Sequence, residues 1–141
     1  MITAVVLAEG HAAGPPIALA EPLSFWGGFD AASGRVIDRR HPDVGRSLTG
    51  KILVMPAVRG SSSGSSVLAE AIRIGTAPLG IILGERDAIL PVGAMVAAAL
   101  YGKSMPIVVV RPDELGVVAA AAAVEILAGP AARIVLTCVS A

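Results

Sequence analysis

The chain has 141 residues, of which 55% are hydrophobic and 16% are charged, and its 11 basic and 11 acidic side chains give a formal net charge of zero. This length holds one domain with a two- or three-layer core, so we treat residues 1–141 as a single domain. A neutral chain without a long basic run is not expected to bind nucleic acid, and no apolar run reaches the ~18 residues of a membrane helix. The apolar composition predicts that a partner, or a second copy of an isolated chain, covers part of the surface.

The single cysteine, Cys138, excludes an internal disulfide and a cysteine-based metal site built by this chain alone. We expect Cys138 to be a small buried side chain near the end of the sequence. The first residues lack the basic stretch of a signal peptide, which predicts a cytoplasmic protein.

The first fifty residues predict short strands separated by loops. The β-branched run Ile2–Ala8 predicts a first strand and Ile17–Ala20 a second. Between them, the glycine and two prolines of His11–Pro16 predict a loop. Residues 29–38 are typical of a turn followed by a strand, and 41–50 form a further loop.

From Lys51 onward the pattern changes to alternating strands and helices. Continuous apolar runs predict strands at Lys51–Pro56, Leu79–Leu83 and Pro106–Val110. Apolar residues at helical spacing predict a helix over residues 67–74, and Ile89–Tyr101 predicts a second. This βαβαβ order predicts parallel strands joined by right-handed crossovers.

The last thirty residues predict a helical turn and a hairpin. The turn covers residues 112–118, while the polyalanine at 119–123 fits a helix or a strand. Val124–Leu127 and Ile134–Val139 flank a Gly-Pro turn and predict the hairpin. Together the elements predict a mixed α/β domain of three layers, with β-rich ends around the βαβαβ centre.

The segment between the first central strand and its helix is RGSSSGSS, Arg59–Ser66, and residues 60–64 spell G-x-S-x-G. In α/β-hydrolases this motif holds the nucleophilic serine, and the histidine of the triad follows it in the chain. Here His11 and His41 both precede Ser62, and that fold needs a larger sheet. The segment also lacks the lysine that completes a Walker phosphate loop.

Two interpretations of this serine segment remain. Serines at the start of a helix fit N-cap positions, which would be a purely structural role. Backbone N–H groups and hydroxyls at a helix N-terminus, with Arg59 beside them, also favour binding of a carboxylate or phosphate. The sequence therefore predicts an anion site at this strand-to-helix junction.

Four segments, in order, are distinctive: Glu21–Asp30 (EPLSFWGGFD), Gly50–Pro56 (GKILVMP), Arg59–Ser65 (RGSSSGS) and Gly75–Leu83 (GTAPLGIIL). They resemble the small "swivel" subunit of the aconitase X family, and the resemblance spans about residues 5–110. The resemblance implies a swivelling β/β/α domain related to the fourth domain of aconitase. It also implies an obligate larger subunit that holds an iron or iron–sulfur centre, with no metal or cofactor bound by this chain.

The resemblance implies a hydro-lyase that removes water from a small hydroxy acid. In bacteria the usual substrate is cis-3-hydroxy-L-proline, which gives Δ1-pyrroline-2-carboxylate, whereas an archaeal member dehydrates mevalonate 5-phosphate. The alanine-rich, lysine-poor composition favours the first substrate, and the length of the chain indicates separate subunits. A non-catalytic anion-binding or assembly module is the third interpretation.

The resemblance also implies roles for the serine segment. The metal of the large subunit would act as a Lewis acid on the leaving hydroxyl, while a swivel-domain serine removes the proton next to the substrate carboxylate. Ser61 is the candidate base, with Ser62 next. In aconitase the corresponding loop is Ser-Ser-Arg, whereas here the arginine precedes the serines. The candidates for substrate binding are Arg59, Gly60, Ser63, Gly64 and Ser65.

Several other polar and aromatic residues have both a structural and a functional interpretation. Trp26 belongs either to the core or to a wall of the site, and Glu21 is an exposed loop acid or part of an interface. His11 is a further candidate for contacting substrate, while His41 is expected in a solvated turn. Glu85–Asp87 follows a strand, where α/β sites collect, and forms salt bridges or meets the large subunit. The basic residues available locally for a phosphate are Arg59, Arg73, Arg86 and Lys103.

Overall fold

A computed structural model describes residues 1–137 and shows, within them, sheets of five, four and two strands. A 3₁₀ turn at Pro112–Glu114 leads into the last helix. The helices are α1 (Phe25–Gly28), α2 (Gly64–Ile74), α3 (Ile89–Tyr101) and α4 (Leu115–Ala119). The strands are β1 (Ile2–Thr3), β2 (Val5–Ala8), β3 (Gly10–Gly14), β4 (Pro16–Ala18), β5 (Phe29–Asp30), β6 (Arg35–Val36), β7 (Ile52–Met55), β8 (Gly80–Leu83), β9 (Ile107–Val109), β10 (Ala123–Ala128) and β11 (Arg133–Thr137).

The central sheet has the strand order β2-β9-β8-β7-β4. Strands β4, β7, β8 and β9 are parallel, as the βαβαβ pattern predicts, and β2 is an antiparallel edge strand. Val54, Ile82 and Val108 stand side by side in this register. The three strands read as continuous apolar runs because both of their faces are covered.

Side chains alternate between the two faces of the central sheet. Leu53, Ile81 and Ile107 pack in one core cluster with the apolar faces of α2 and α3. Val54 and Ile82 pack in a second cluster with the four-stranded sheet, whose order is β1-β11-β10-β3. Each fully buried side chain of this size contributes about 1.5–3 kcal/mol. Helices, central sheet and second sheet thus form the predicted three-layer β/β/α arrangement.

The N-terminal segment differs from the prediction in two ways. The run expected to form one strand is divided at Ala4 between β1 and β2, which belong to different sheets. The loop predicted over His11–Pro16 is wrong, because residues 10–14 form β3 and pair with β10, placing Ala12 opposite Ile126. An edge strand tolerates glycine and a following proline, since one side of its backbone needs no partner.

The C-terminal predictions are confirmed as far as the structure describes them. The helical turn is the 3₁₀ turn followed by α4, and the alanine run is shared between the end of α4 and the start of β10. Strands β10 and β11 form the hairpin, with Ile126 opposite Ile134. The predicted end of that hairpin at Val139 and the predicted burial of Cys138 lie outside the described residues.

Helix α2 ends at Gly75, whose left-handed φ of +85° supplies the C-cap. Helix α3 has 13 residues and no charged side chain. Neither these two helices nor any other within residues 1–137 has the length and hydropathy that crossing a membrane would require.

Candidate functional site

The loops that follow the parallel strands meet at one edge of the central sheet. Met55 pairs with Leu83, and Leu83 pairs with Val109, so β7, β8 and β9 end side by side. The serine segment follows β7, the charged segment Glu85–Asp87 follows β8, and Arg111 lies just after β9. This is the edge at which parallel α/β sheets bind ligands.

The chain after β4 extends this edge beside β7. The N–H of Leu19 donates to the Val54 carbonyl at 2.9 Å, and the N–H of Arg59 donates to the Leu23 carbonyl at 3.2 Å. Leu23 and Val58 form a parallel bridge between the two segments. The residues that follow Leu23 are therefore held next to the serine segment.

Helix α1 is a tight turn that borders the start of α2. Trp26 and Gly27 both leave helical dihedral angles, so the four residues make no regular helix. Phe25 is buried and its ring lies 4.8 Å from that of Phe29. A methyl group at Gly64 would lie 3.5 Å from Phe25 Cβ and 3.7 Å from the main-chain nitrogen of Trp26. The Trp26 side chain is 59% exposed, so the prediction of a core position is wrong and the wall position beside the serine segment remains.

Ser61 orders the turn that precedes α2. Its Oγ accepts a hydrogen bond from the Ser63 N–H at 3.2 Å, and its carbonyl accepts one from the Gly64 N–H at 3.0 Å. The N-cap residue of α2 is Ser63, which makes no side-chain capping hydrogen bond, so the expected N-cap role of a serine hydroxyl is absent there. Ser61 is half-buried, between Gly60 and the exposed Ser62, and its hydroxyl donates to no partner within residues 1–137.

The other hydroxyls and N–H groups of the segment differ in availability. Ser65 donates twice to the Ser62 carbonyl, from its N–H at 3.3 Å and from its Oγ at 2.8 Å. Within residues 1–137 the N–H groups of Gly60, Ser61 and Ser62 have no hydrogen-bond partner. These three N–H groups are therefore the unpaired main-chain donors of the segment within the described residues. The binding roles assigned to Arg59, Gly60, Ser63, Gly64 and Ser65 stay predictions.

Three arginines follow the ends of the three central strands. Arg59 and Arg86 are exposed and form no ion pair with any residue that the structure describes. Arg111 is exposed too and lies 3.0 Å from Asp113. Sequence reasoning missed Arg111, although its position directly after a buried strand was the available signal.

The charged segment after β8 has a capping function that sequence reasoning also missed. Asp87 Oδ2 accepts hydrogen bonds from the N–H groups of Ile89, at 3.1 Å, and Leu90, at 2.8 Å, at the start of α3. An aspartate just before an apolar helical run is a recognisable N-cap. Residues 85–87 form no salt bridge with the described part of the chain, and the alternative of contact with a larger subunit stays a prediction.

His41 is buried, and the prediction of a solvated turn is wrong. The ring is 3% exposed; Nδ1 accepts from the Asp43 N–H at 3.0 Å, and Nε2 donates to the Glu21 carbonyl at 3.0 Å. Burial raises the pKa of Asp43, but hydrogen bonds from the Ala20 N–H and from Arg46, with the nearby cationic charge, outweigh it and hold the pKa below its usual value. His41 and Asp43 thus hold the segment after β4 in place through hydrogen bonds to its main chain. The side chain of Glu21 in this segment is exposed.

The substitution His41→Ala is expected to lower the free energy of unfolding by about 3 kcal/mol, because it leaves a cavity and two main-chain groups without partners. Urea unfolding monitored by circular dichroism measures this change. The matched control is His11→Ala, which removes an exposed ring and should change stability by less than about 1 kcal/mol. Equal effects of the two substitutions would contradict the structural role of His41.

His11 lies away from the serine segment. It is on the exposed side of β3, at the edge of the four-stranded sheet, and Nε2 is 2.7 Å from Glu125 Oε2. Both side chains are exposed, so the pair contributes little to stability. The position gives no support to a contact between His11 and a substrate at the serine segment.

Residues 1–137 present no ready ligand set for a metal ion. Among them, no three histidine, cysteine, aspartate or glutamate side chains converge closely enough to hold one.

Comparisons with known proteins agree with the fold. The family profile described as "Aconitase X swivel domain" matches residues 1–135. A cis-3-hydroxy-L-proline dehydratase of Pseudomonas aeruginosa is 49% identical over 117 residues, covering 82% of this chain and 20% of that protein. A phosphomevalonate dehydratase small subunit of Methanothermobacter thermautotrophicus is 44% identical over 92 residues, covering 65% of this chain and 70% of that one.

A solved structure shares the fold. The crystal structure of Thermococcus kodakaraensis aconitase X in its holo-form superposes with a TM-score of 0.79 and 31% identity, covering 95% of this chain and 97% of that chain. The chain spans about a fifth of the length of the bacterial dehydratase. Its similarity to that protein therefore concerns one segment of a larger enzyme.

Proposed function

This chain belongs to the aconitase X swivel-domain family, and on that premise we propose that it is the swivel part of a hydro-lyase that dehydrates cis-3-hydroxy-L-proline. The observation that carries the proposal is the 49% identity to a protein named for this reaction, over 82% of the chain. The serine segment, which resembles that of the family, lies at the ligand-binding edge of the sheet. We propose further that a larger subunit completes the site and that the complex is cytoplasmic.

Ser61 is the proposed base. Its Oγ would act as an alkoxide, after its hydroxyl proton has passed to a group that the larger subunit supplies. The alkoxide would take the proton from the carbon that bears the substrate carboxylate, the hydroxide on the neighbouring carbon would leave with the C–O electrons, and a C=C bond would form. The resulting enamine tautomerises to Δ1-pyrroline-2-carboxylate. The Ser63 N–H, 3.2 Å from Ser61 Oγ, would stabilise negative charge on that oxygen, and the positive end of α2 acts in the same direction.

The substrate carboxylate is proposed to bind the N–H groups of Gly60 to Ser62, with Ser63, Gly64 and Ser65 shaping that loop. Arg59, exposed and without an ion pair to the described residues, adds positive charge at the same place. Ser62 is the second candidate for the base, since its side chain is exposed next to Ser61.

The iron or iron–sulfur centre expected for the family is proposed to reside on the larger subunit. The ground for this assignment is membership of the aconitase X swivel-domain family. The swivel part then supplies protein groups to a site whose remaining groups lie on its partner.

Mevalonate 5-phosphate is the second candidate substrate, favoured by the 44% identity to a phosphomevalonate dehydratase small subunit. A phosphate would need more positive charge at the serine segment than a carboxylate does. Arg73 is paired with Glu70, and Lys103 donates to the Arg73 carbonyl at 2.7 Å, so both lie at the opposite end of α2. Arg59 and Arg86 stay near the site, and Arg111, at the same edge of the sheet, is paired with Asp113. The two arginines without an ion pair to the described residues support the smaller, unphosphorylated acid.

The test is co-expression of this chain with the larger aconitase X subunit of the same genome, followed by assays with both substrates. The expected result is dehydration of cis-3-hydroxy-L-proline by the pair and by neither part alone. Turnover of mevalonate 5-phosphate instead would establish the second candidate. A chain that binds small carboxylates but recruits no larger subunit would identify a non-catalytic anion-binding or assembly module.

A further inference from the structure

Helix α3 is apolar on both of its faces. Its inner face, with Leu90, Ala94 and Ala97, packs in the core against the central sheet. Its opposite face carries apolar residues at the i, i+3, i+4, i+7, i+8 spacing of a helix that packs against another element. We call this face the outer stripe; it consists of Val92, Met95, Val96, Ala99 and Leu100.

The outer stripe is exposed and borders a groove. Met95 is 53% and Leu100 is 69% exposed. The groove, of about 750 Å³, lies between α3 and the edge strand β2, with Val6 and Leu7 on the strand side. Glu9 is the one charged residue that lines it within residues 1–137. A continuous exposed apolar patch of this kind marks an interaction surface.

We propose that the outer stripe and the adjoining groove are the docking surface for the larger subunit, an inference that rests on the proposed function. The start of α3 adjoins the serine segment. Methyl groups at Gly60 and Gly64 would lie 3.7 and 3.5 Å from the side chain of Ile89, the first residue of α3. A partner that supplies groups beside Ser61 therefore reaches the start of α3.

The outer stripe is smaller than a complete protein interface. A helix of 13 residues is about 20 Å long. At a width of about 10 Å its outer face offers roughly 200 Å², whereas a stable interface covers roughly 800 Å² on each partner. The partner must then extend beyond α3, toward the serine segment and Trp26 at one end and into the β2 groove at its side. The bacterial relative, of which this chain covers 20%, contains ample further protein for such a surface.

A second copy of this chain fits less well. Two copies packed through their outer stripes alone would each bury roughly 200 Å², far less than the roughly 800 Å² of a stable interface. The proposed function in addition requires a larger subunit at the serine segment, next to the start of α3. The docking surface is therefore assigned to the larger subunit.

The test compares Met95→Glu and Leu100→Glu with the control Val117→Glu, each in the full chain. Val117 is 59% exposed on α4, on the other side of the central sheet, so the control adds the same charge at an equally exposed helical position. The double variant Met95→Glu/Leu100→Glu is expected to weaken binding to the purified larger subunit about 100-fold or more. The thermal midpoint of each isolated variant should match wild type, because no buried contact is lost.

Titration calorimetry and size-exclusion chromatography separate the outcomes. If the stripe variants bind the larger subunit as tightly as Val117→Glu does, the docking assignment is overturned. The proposed function still stands in that case, provided that the pair dehydrates the substrate. If the isolated chain is a dimer that Met95→Glu dissociates, with binding to the larger subunit unchanged, the stripe belongs to a second copy and the assignment is overturned. Absence of any complex with wild type would overturn both the assignment and the proposed function.

Discussion

Substitution of Ser61 by alanine is expected to lower kcat of the assembled dehydratase by about 10²–10⁴-fold, the range that a positioned general base contributes. The alanine removes the oxygen proposed to take the substrate proton. It also removes the acceptor of the Ser63 N–H, which costs about 1 kcal/mol of stability, too little to unfold the domain. Steady-state kinetics on the purified pair, with the unfolding curve of each variant, measures both effects.

The control for this prediction is Ser66→Ala, which removes an exposed hydroxyl from the first turn of α2 and leaves the Ser66 N–H bond to Ser63 intact. It should retain full turnover. Ser62→Ala distinguishes the two candidate bases, because a loss of kcat there with Ser61→Ala unaffected would move the role by one residue. A change in KM with unchanged kcat at Ser61 would indicate binding of the carboxylate rather than proton transfer.

The central part of the fold could be predicted because its signals are local. Strands β7, β8 and β9 are covered on both faces, so each is a continuous apolar run. The intervening helices are indicated by the helical spacing of their apolar residues and by Gly75 at the end of α2. The position of the serine segment at the ligand-binding edge follows from that order alone.

The N-terminal strands could not be predicted in the same way. Strand β3 consists of glycine, alanine and His11, and it is a strand because β10, more than a hundred residues later, pairs with it. No local pattern encodes a partner so distant in sequence. The division between β1 and β2 has the same origin, since the two pieces pair with β11 and β9 respectively.

The surroundings of the serine segment were also hidden from the sequence. The Phe25–Gly28 turn reaches Gly64 through the bridge between Leu23 and Val58, which is a main-chain contact. The buried His41 forms hydrogen bonds with the Glu21 carbonyl and the Asp43 N–H. Both partners are main-chain groups, which every residue has, so the sequence does not reveal these contacts. The charged neighbours of His41 suggested a solvated turn, but they lie on the outer side of that turn.

The position of the serine segment also depends on the contact between α2 and α3, which makes Gly93 a sensitive residue. Gly93 is buried in α3 with its α-carbon facing the first turn of α2. A methyl group there would overlap the Ser65 carbonyl oxygen and lie 3.2 Å from Ser65 Cα. Because these atoms are backbone, the overlap can be relieved only by moving the start of α2.

Gly93→Ala is therefore expected to lower the free energy of unfolding by about 1–3 kcal/mol. It should also reduce kcat/KM by about 10-fold or more at temperatures where the variant stays folded. Ser61 lies in the turn just before α2, and misplaced catalytic groups lose rate steeply. The control is Gly116→Ala in α4, where no atom lies within 4 Å of the added methyl group and helix propensity predicts a small gain. A Gly93→Ala variant as stable and active as wild type would show that α2 can shift without disturbing the serine segment, and the close helix contact would then have no part in holding Ser61 in place.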